Sequence, residues 1–167
     1  RSGSAESLIP WKTLGARGRQ FISGGMSREL IGEINPGKSA KTPIRVYAGL
    51  NSADSVKERA ELILEEMKRV GAFERSLLVV VTPTGTGWID PAAVDPLEVL
   101  HGGDTAIVGM QYSYLMSPLA LLVEPDQAPR SAKTLIDMVY EYWRQLPSDS
   151  RPKLYLHGLS LGSYGSE

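Results

Sequence analysis

Cysteine is absent from the 167 residues. That removes disulfides, thiolate metal sites and cysteine nucleophiles from consideration. It leaves the redox compartment open, since a chain without thiols suits either environment. Histidine occurs only at positions 101 and 157, and no grouping of His, Asp and Glu has the spacing of metal ligands. Charge of one sign is also lacking. A net charge of −1 gives no reason to expect nucleic acid or an anionic membrane surface as a partner. Long hydrophobic runs are missing too. No apolar run exceeds Leu77–Val81, and Ser117 and Pro118 interrupt the stretch from Leu115 to Val123, so nothing here spans a bilayer. The opening Arg1-Ser2-Gly3-Ser4 lacks the charged and apolar regions of a signal peptide. It reads as a linker or tag remnant, as though the chain were excised from something longer. By itself this stretch is expected to be soluble.

What is present is a strand–helix alternation. Residues 1–43 are weakly patterned, with Gly24-Gly25 and Pro36-Gly37 as turn signals. They are expected to form an arm that docks onto the domain through Trp11, Leu14, Phe21 and Ile22. Ser27 is placed to cap a short helix to Ile34, with Leu30, Ile31 and Ile34 on one face. Residues 44–167 are the domain proper. Ile44–Leu50 reads as a strand. A helix follows over about 54–70, with Ser55 and Glu58 at capping-box spacing. Val56, Ala60, Ile63, Met67 and Val70 share its buried face, and Gly71 ends it.

Leu77–Val81 is apolar on both faces, as in the middle of a covered parallel sheet. Asp90 is placed to cap a helix to Leu100, whose regularity Pro96 limits. Gly102-Gly103 end that helix, and Asp104 turns into a strand over Thr105–Gln111. Ser131–Leu146 is a strong helix with Leu135, Val139, Tyr142 and Leu146 on one face. Lys153–His157 is the last strand. This order predicts an α/β fold with a mainly parallel sheet and helices on both faces. Ligands in such sheets bind at the carboxyl ends of the strands, where the loops 82–88, 112–119 and 158–165 leave.

The last of these loops holds Gly158-Leu159-Ser160-Leu161-Gly162. A Gly-x-Ser-x-Gly between a buried strand and a helix is a nucleophile elbow, whose sharp turn lifts the serine oxygen off the sheet. A glycine-rich turn without chemistry and a phosphate loop are the alternatives. Against the second, neither nucleotide fingerprint fits. A serine elbow needs two oxyanion donors. One is the N–H after the nucleophile, here Leu161. The other comes from the loop after an earlier strand. Because Pro83 has no N–H, Thr84 or Gly85 is the expected second donor, unless 82–87 is only a turn. Tyr112, Tyr114 and Met116 either line a substrate pocket or pack the core. Neither histidine suits the role of base: His157 precedes the elbow on its strand, and His101 lies at the opposite end of the sheet.

Four segments, Ile44–Asp54, Val79–Asp90, Asp104–Tyr114 and Lys153–Glu167, resemble the catalytic domain of a membrane-tethered bacterial α/β-hydrolase family. The most specific parts are Val-Thr-Pro-Thr-Gly-Thr-Gly-Trp, residues 81–88, and Gly-x-Ser-x-Gly-Ser, residues 158–163. The resemblance runs from Ile9 onward. It implies an N-terminal portion of the hydrolase fold with Ser160 as nucleophile, and esterase- or lipase-like activity on a small-molecule or lipid ester without a cofactor. It places a membrane region upstream of Arg1 and the triad's acid and histidine downstream of Glu167. In that arrangement the last strand would expose an unpaired edge prone to association. A non-catalytic binding domain that keeps the elbow, and a flavodoxin-like phosphate or nucleotide binder, are the competing readings.

Overall fold

The computed structural model describes residues 1–114, 127–159 and Ser163. Four strands, β1 (Ile44–Ala48), β2 (Leu77–Thr82), β3 (Thr105–Met110) and β4 (Lys153–Gly158), form one sheet in the order β1-β3-β2-β4. Every pairing is parallel. Among the described residues β4 has a strand on one side only. Its Tyr155 and Leu156 are exposed. β1, β2 and β3 are buried throughout, which explains why β2 is apolar at successive positions rather than alternating.

Among the described residues these helices accompany the sheet: α1 (Gly15–Ser23), α2 (Arg28–Ile34), α3 (Val56–Arg69), α4 (Pro91–Leu100) and α5 (Gln127–Trp143). The crossovers β1–α3–β2 and β3–α5–β4 run one way across the sheet, and β2–α4–β3 runs back. Right-handed connections therefore put α3 and α5 on one face and α4 on the other. In agreement, α3 and α5 pack against each other, while Arg45 of β1 reaches α4 and α1 on the opposite face.

Local chemistry sets the helix ends. Ser55 Oγ accepts from Glu58 N–H, and the Glu58 carboxylate accepts from Ser55 N–H and Oγ. Those bonds hold the Glu58 carboxyl below its ordinary pKa. Ala60, Ile63 and Met67 are buried along α3, and Gly71 follows at a φ of 70°, the left-handed geometry glycine tolerates best. Asp90 caps α4 through Ala92 N–H, with Pro91 at the first helical position and the helix continuing through Pro96.

The first 43 residues depart from the sequence reading in detail. Ser2 is buried: its N–H donates to Arg45 O, and its Oγ accepts from Tyr47 N–H. The opening residues are thus bonded to β1 rather than being a loose remnant. Ile9, Leu14, Phe21, Ile22 and Ile31 are buried. Helix α1 was not anticipated, because Gly15 and Gly18 read as punctuation and no side chain caps its start. Trp11 is 44% exposed rather than an anchor, since it sits in a 3-10 turn that points Leu14 inward instead. On α2, which Ser27 does cap, only Ile31 is buried; Leu30 and Ile34 stay largely exposed.

Two buried charges tie this segment down. Arg45, 3% exposed, donates to Glu98 Oε1 at 2.6 Å, to Asp95 Oδ1 and to Phe21 O at 2.8 Å, and lies over the Phe21 ring. The other Glu98 oxygen accepts from Met26 N–H at 2.9 Å. Replacing Arg45 by Met would strand the Glu98 carboxylate, and we expect a loss of about 3–5 kcal/mol in urea denaturation. On the other face Glu66, fully buried, accepts from Ser7 Oγ, Leu8 N–H and two nitrogens of Arg69. Burial pushes its pKa up, but the hydrogen bonds from Arg69, Ser7 and Leu8 outweigh burial, and the carboxyl titrates below its ordinary value. A depressed folded pKa means its stabilisation is present above the unfolded value of about 4.3 and fades as pH falls through the lower, folded value. Stability measured by denaturant titration should therefore drop on acidification below about pH 4, and less steeply in Glu66→Gln.

Candidate active site

The carboxyl ends of β2 and β4 lie side by side, with Thr82 in register with Gly158. That pairing brings the start of the loop after β2 next to the Gly-x-Ser-x-Gly motif. β4 ends at Gly158 and Ser163 is helical, so a strand and a helix flank the motif as an elbow requires. Ser160 and Leu161, and the expected pocket residue Met116, lie outside the described residues.

The loop 82–88 is held from beneath. Thr84 N–H donates to Trp88 O at 3.0 Å, and Gly87 N–H to Thr84 O at 2.8 Å. Tyr47 OH donates to Gly87 O at 2.8 Å. Gln111 Nε2 donates to Thr86 O at 3.3 Å and to Ser113 O at 2.9 Å, joining this loop to the one after β3. Both supporting side chains are buried. Burial is the main cause that raises the Tyr47 pKa, with neighbouring Tyr112 adding to it, so the phenol stays a neutral donor.

The Tyr47 ring fits only because glycines surround it. A Cβ on Gly18 would meet the ring at 2.5 Å, and one on Gly109 at 3.3 Å. Gly87 itself adopts a φ of 85° against the phenol oxygen. Sequence reasoning missed Tyr47 and Gln111 as supports. One is an unremarkable residue in a strand, and the other a polar residue at a strand end.

The remaining residues singled out in the sequence are dispersed. Tyr112 is 1% exposed, and its hydroxyl has no hydrogen-bond partner among the described residues. Burial pushes its pKa up to about 12. Tyr114 is exposed, and its hydroxyl lies 3.0 Å from Asn51 Oδ1. His101 caps the end of α4, before β3 begins. His101 and His157 both line a groove of about 400 Å³ with Leu77, Val79, Leu97 and Tyr155. The groove lies on the α4 side of the sheet beside β4. Among the described residues no group of three His, Cys, Asp or Glu could hold a metal ion.

Removing the phenol oxygen tests the support. In Tyr47→Phe the buried Gly87 carbonyl loses its donor, with an expected cost of about 1–3 kcal/mol in urea denaturation. Gly87→Ala should cost more than Tyr47→Phe, because it adds a strained φ and a clash with the phenol.

Two comparisons bear on what this arrangement belongs to. A family model described as the Alpha/beta-hydrolase family matches residues 44–167, and one described as the Alpha/beta-hydrolase family N-terminus matches residues 1–25. No curated protein and no solved structure matches the chain. With the parallel sheet and the strand and helix flanking Gly-x-Ser-x-Gly, the match over residues 44–167 makes this chain a member of the Alpha/beta-hydrolase family.

Proposed function

We propose that the protein is a serine hydrolase acting on esters, with Ser160 as nucleophile. The observation that carries this reading is the register of β2 with β4. Thr82 pairs with Gly158, so the buttressed loop 82–88 adjoins the serine motif, where a second oxyanion donor has to be. Family membership supports the fold in which such an elbow works.

In this mechanism Ser160 Oγ attacks the ester carbonyl carbon and passes its proton to a histidine. The carbonyl oxygen becomes an oxyanion held by Leu161 N–H and by an N–H of Thr84 or Gly85. At Thr84 the bond to Trp88 O would first have to open. The intermediate collapses, the C–O bond breaks, and the histidine returns the proton to the leaving alcohol. Water then repeats the sequence on the acyl-enzyme and releases the acid. His101 and His157 line the sheet-face groove, so the base and its orienting acid are assigned to chain beyond Glu167. Tyr114 and Met116 are the pocket residues of this reading, with Tyr112 behind them. Membrane anchoring through a region upstream of Arg1 rests on the family resemblance alone. Among the described residues no helix is long and apolar enough to cross a membrane.

Fluorophosphonate labelling of the full-length protein, read by intact mass, tests the assignment. One adduct is expected on the wild type and none on Ser160→Ala. A folded full-length protein that takes no adduct would point instead to a binding domain that keeps the elbow without its chemistry.

A further inference from the structure

The interior of the carboxyl-end face contains a cation without a counter-ion among the described residues. Arg59, in the first turns of α3, is 5% exposed. Its Nη1 donates to Ala53 O at 3.0 Å, and its Nε is buried without an acceptor. Among the described residues no carboxylate forms an ion pair with it, in contrast to Arg45 and Arg69, whose guanidinium groups each reach a buried glutamate. Glu58, its neighbour in sequence, is turned to the helix cap. A guanidinium cannot shed its proton at neutral pH, so the unpaired charge stands as a cost in the folded protein. Burial lowers the Arg59 pKa, with only partial opposition from Glu58 and Tyr114.

Position gives that cost a use. Ala53 follows the 3-10 turn Leu50–Ser52 after β1, and Tyr114 follows β3. Arg59 is therefore at the same end of the sheet as Gly158, on the far side of β3 and β2 from it. Three interstrand spacings amount to roughly 14 Å. Two further buried hydroxyls, on Tyr112 and Ser131, have no partner among the described residues and belong to this end as well: Tyr112 leaves β3 and Ser131 lies early in α5. Tyr114, exposed and held through its hydroxyl by Asn51, is the neighbour that separates Arg59 from solvent on this side.

We propose that Arg59 is a binding residue for an oxyanion, a carboxylate or phosphate group, carried by the substrate at the end remote from its ester. The guanidinium fork suits either group, because both offer two oxygens at the spacing of its nitrogens. The word substrate rests on the ester-hydrolase reading; the anion site itself does not require Ser160 to react.

Thermal unfolding of the full-length protein at constant ionic strength, with inorganic phosphate or propionate replacing chloride, tests this. At ten times the dissociation constant the favoured anion should raise Tm by roughly 3–6 °C, and the stronger of the two identifies the group. Arg59→Met should lose that response and, without anion, melt no lower than wild type, because an apolar side chain replaces an unpaired charge. Ser160→Ala should keep the response, so a failed hydrolase reading and a failed anion site give different results. If Arg59→Met does not fold, Arg59→Gln, which keeps a donor for Ala53 O, gives the same reading. Absence of any rise in wild type, or an equal rise in the Arg59 variant, overturns the proposal.

Discussion

Arg45 brings a permanent charge into the interior of a largely apolar sheet, and its neutralisation organises the surrounding chain. Its partners come from two places far apart in sequence: Glu98 and Asp95 on α4 and the Phe21 carbonyl near the end of α1. Separating Arg45 from Glu98 would leave two buried charges unmet, and in a low-dielectric setting that cost exceeds what an ordinary contact contributes. The 3-10 turn, α1 and the turn before α2 are thereby fixed against β1 and α4. The opening residues close over the same strand through Ser2. Glu66 does the corresponding work on the other face, fastening Ser7 and Leu8 to α3.

The site end of the sheet inherits this order through one more step. β1 presents Arg45 and Tyr47 to the same face, two residues apart, as strand alternation requires. The first residue fastens α4 and α1, and the second reaches forward to hold Gly87. The loop beside Gly158 is thus held by the packing of the first strand as well as by its own turn bonds. Gln111 adds a second tether at the end of β3, so that the loops after β2 and β3 are braced as a pair.

Much of the fold was legible because its signals are local. Ser55 with Glu58, Asp90 before Pro91, Gly71 after α3 and the apolar run at Leu77–Val81 each announce an element through its own neighbours. The first 43 residues were harder to read. Their order comes from long-range partners, Glu98 and Glu66, and a glutamate at a helix position looks like any solvated residue until the arginine it meets is known. The same holds at the site. The Gly-x-Ser-x-Gly motif is contiguous and shows itself, whereas the supports Tyr47 and Gln111 act on a loop dozens of residues away. Arg59 was passed over because a cation on a helix is ordinarily at the surface, and only burial without a partner sets this one apart.

The ring of Tyr47 fills the space that three glycines, at 18, 87 and 109, leave open. Four positions far apart in the chain are therefore linked through packing, most tightly at 18, where an added Cβ would stand 2.5 Å from the ring. A smaller residue at 47 would make room for a methyl group at 18 while giving up the tether to the loop, whereas at 87 the positive φ and Gln111, and at 109 the Ile89 side chain, would still resist one.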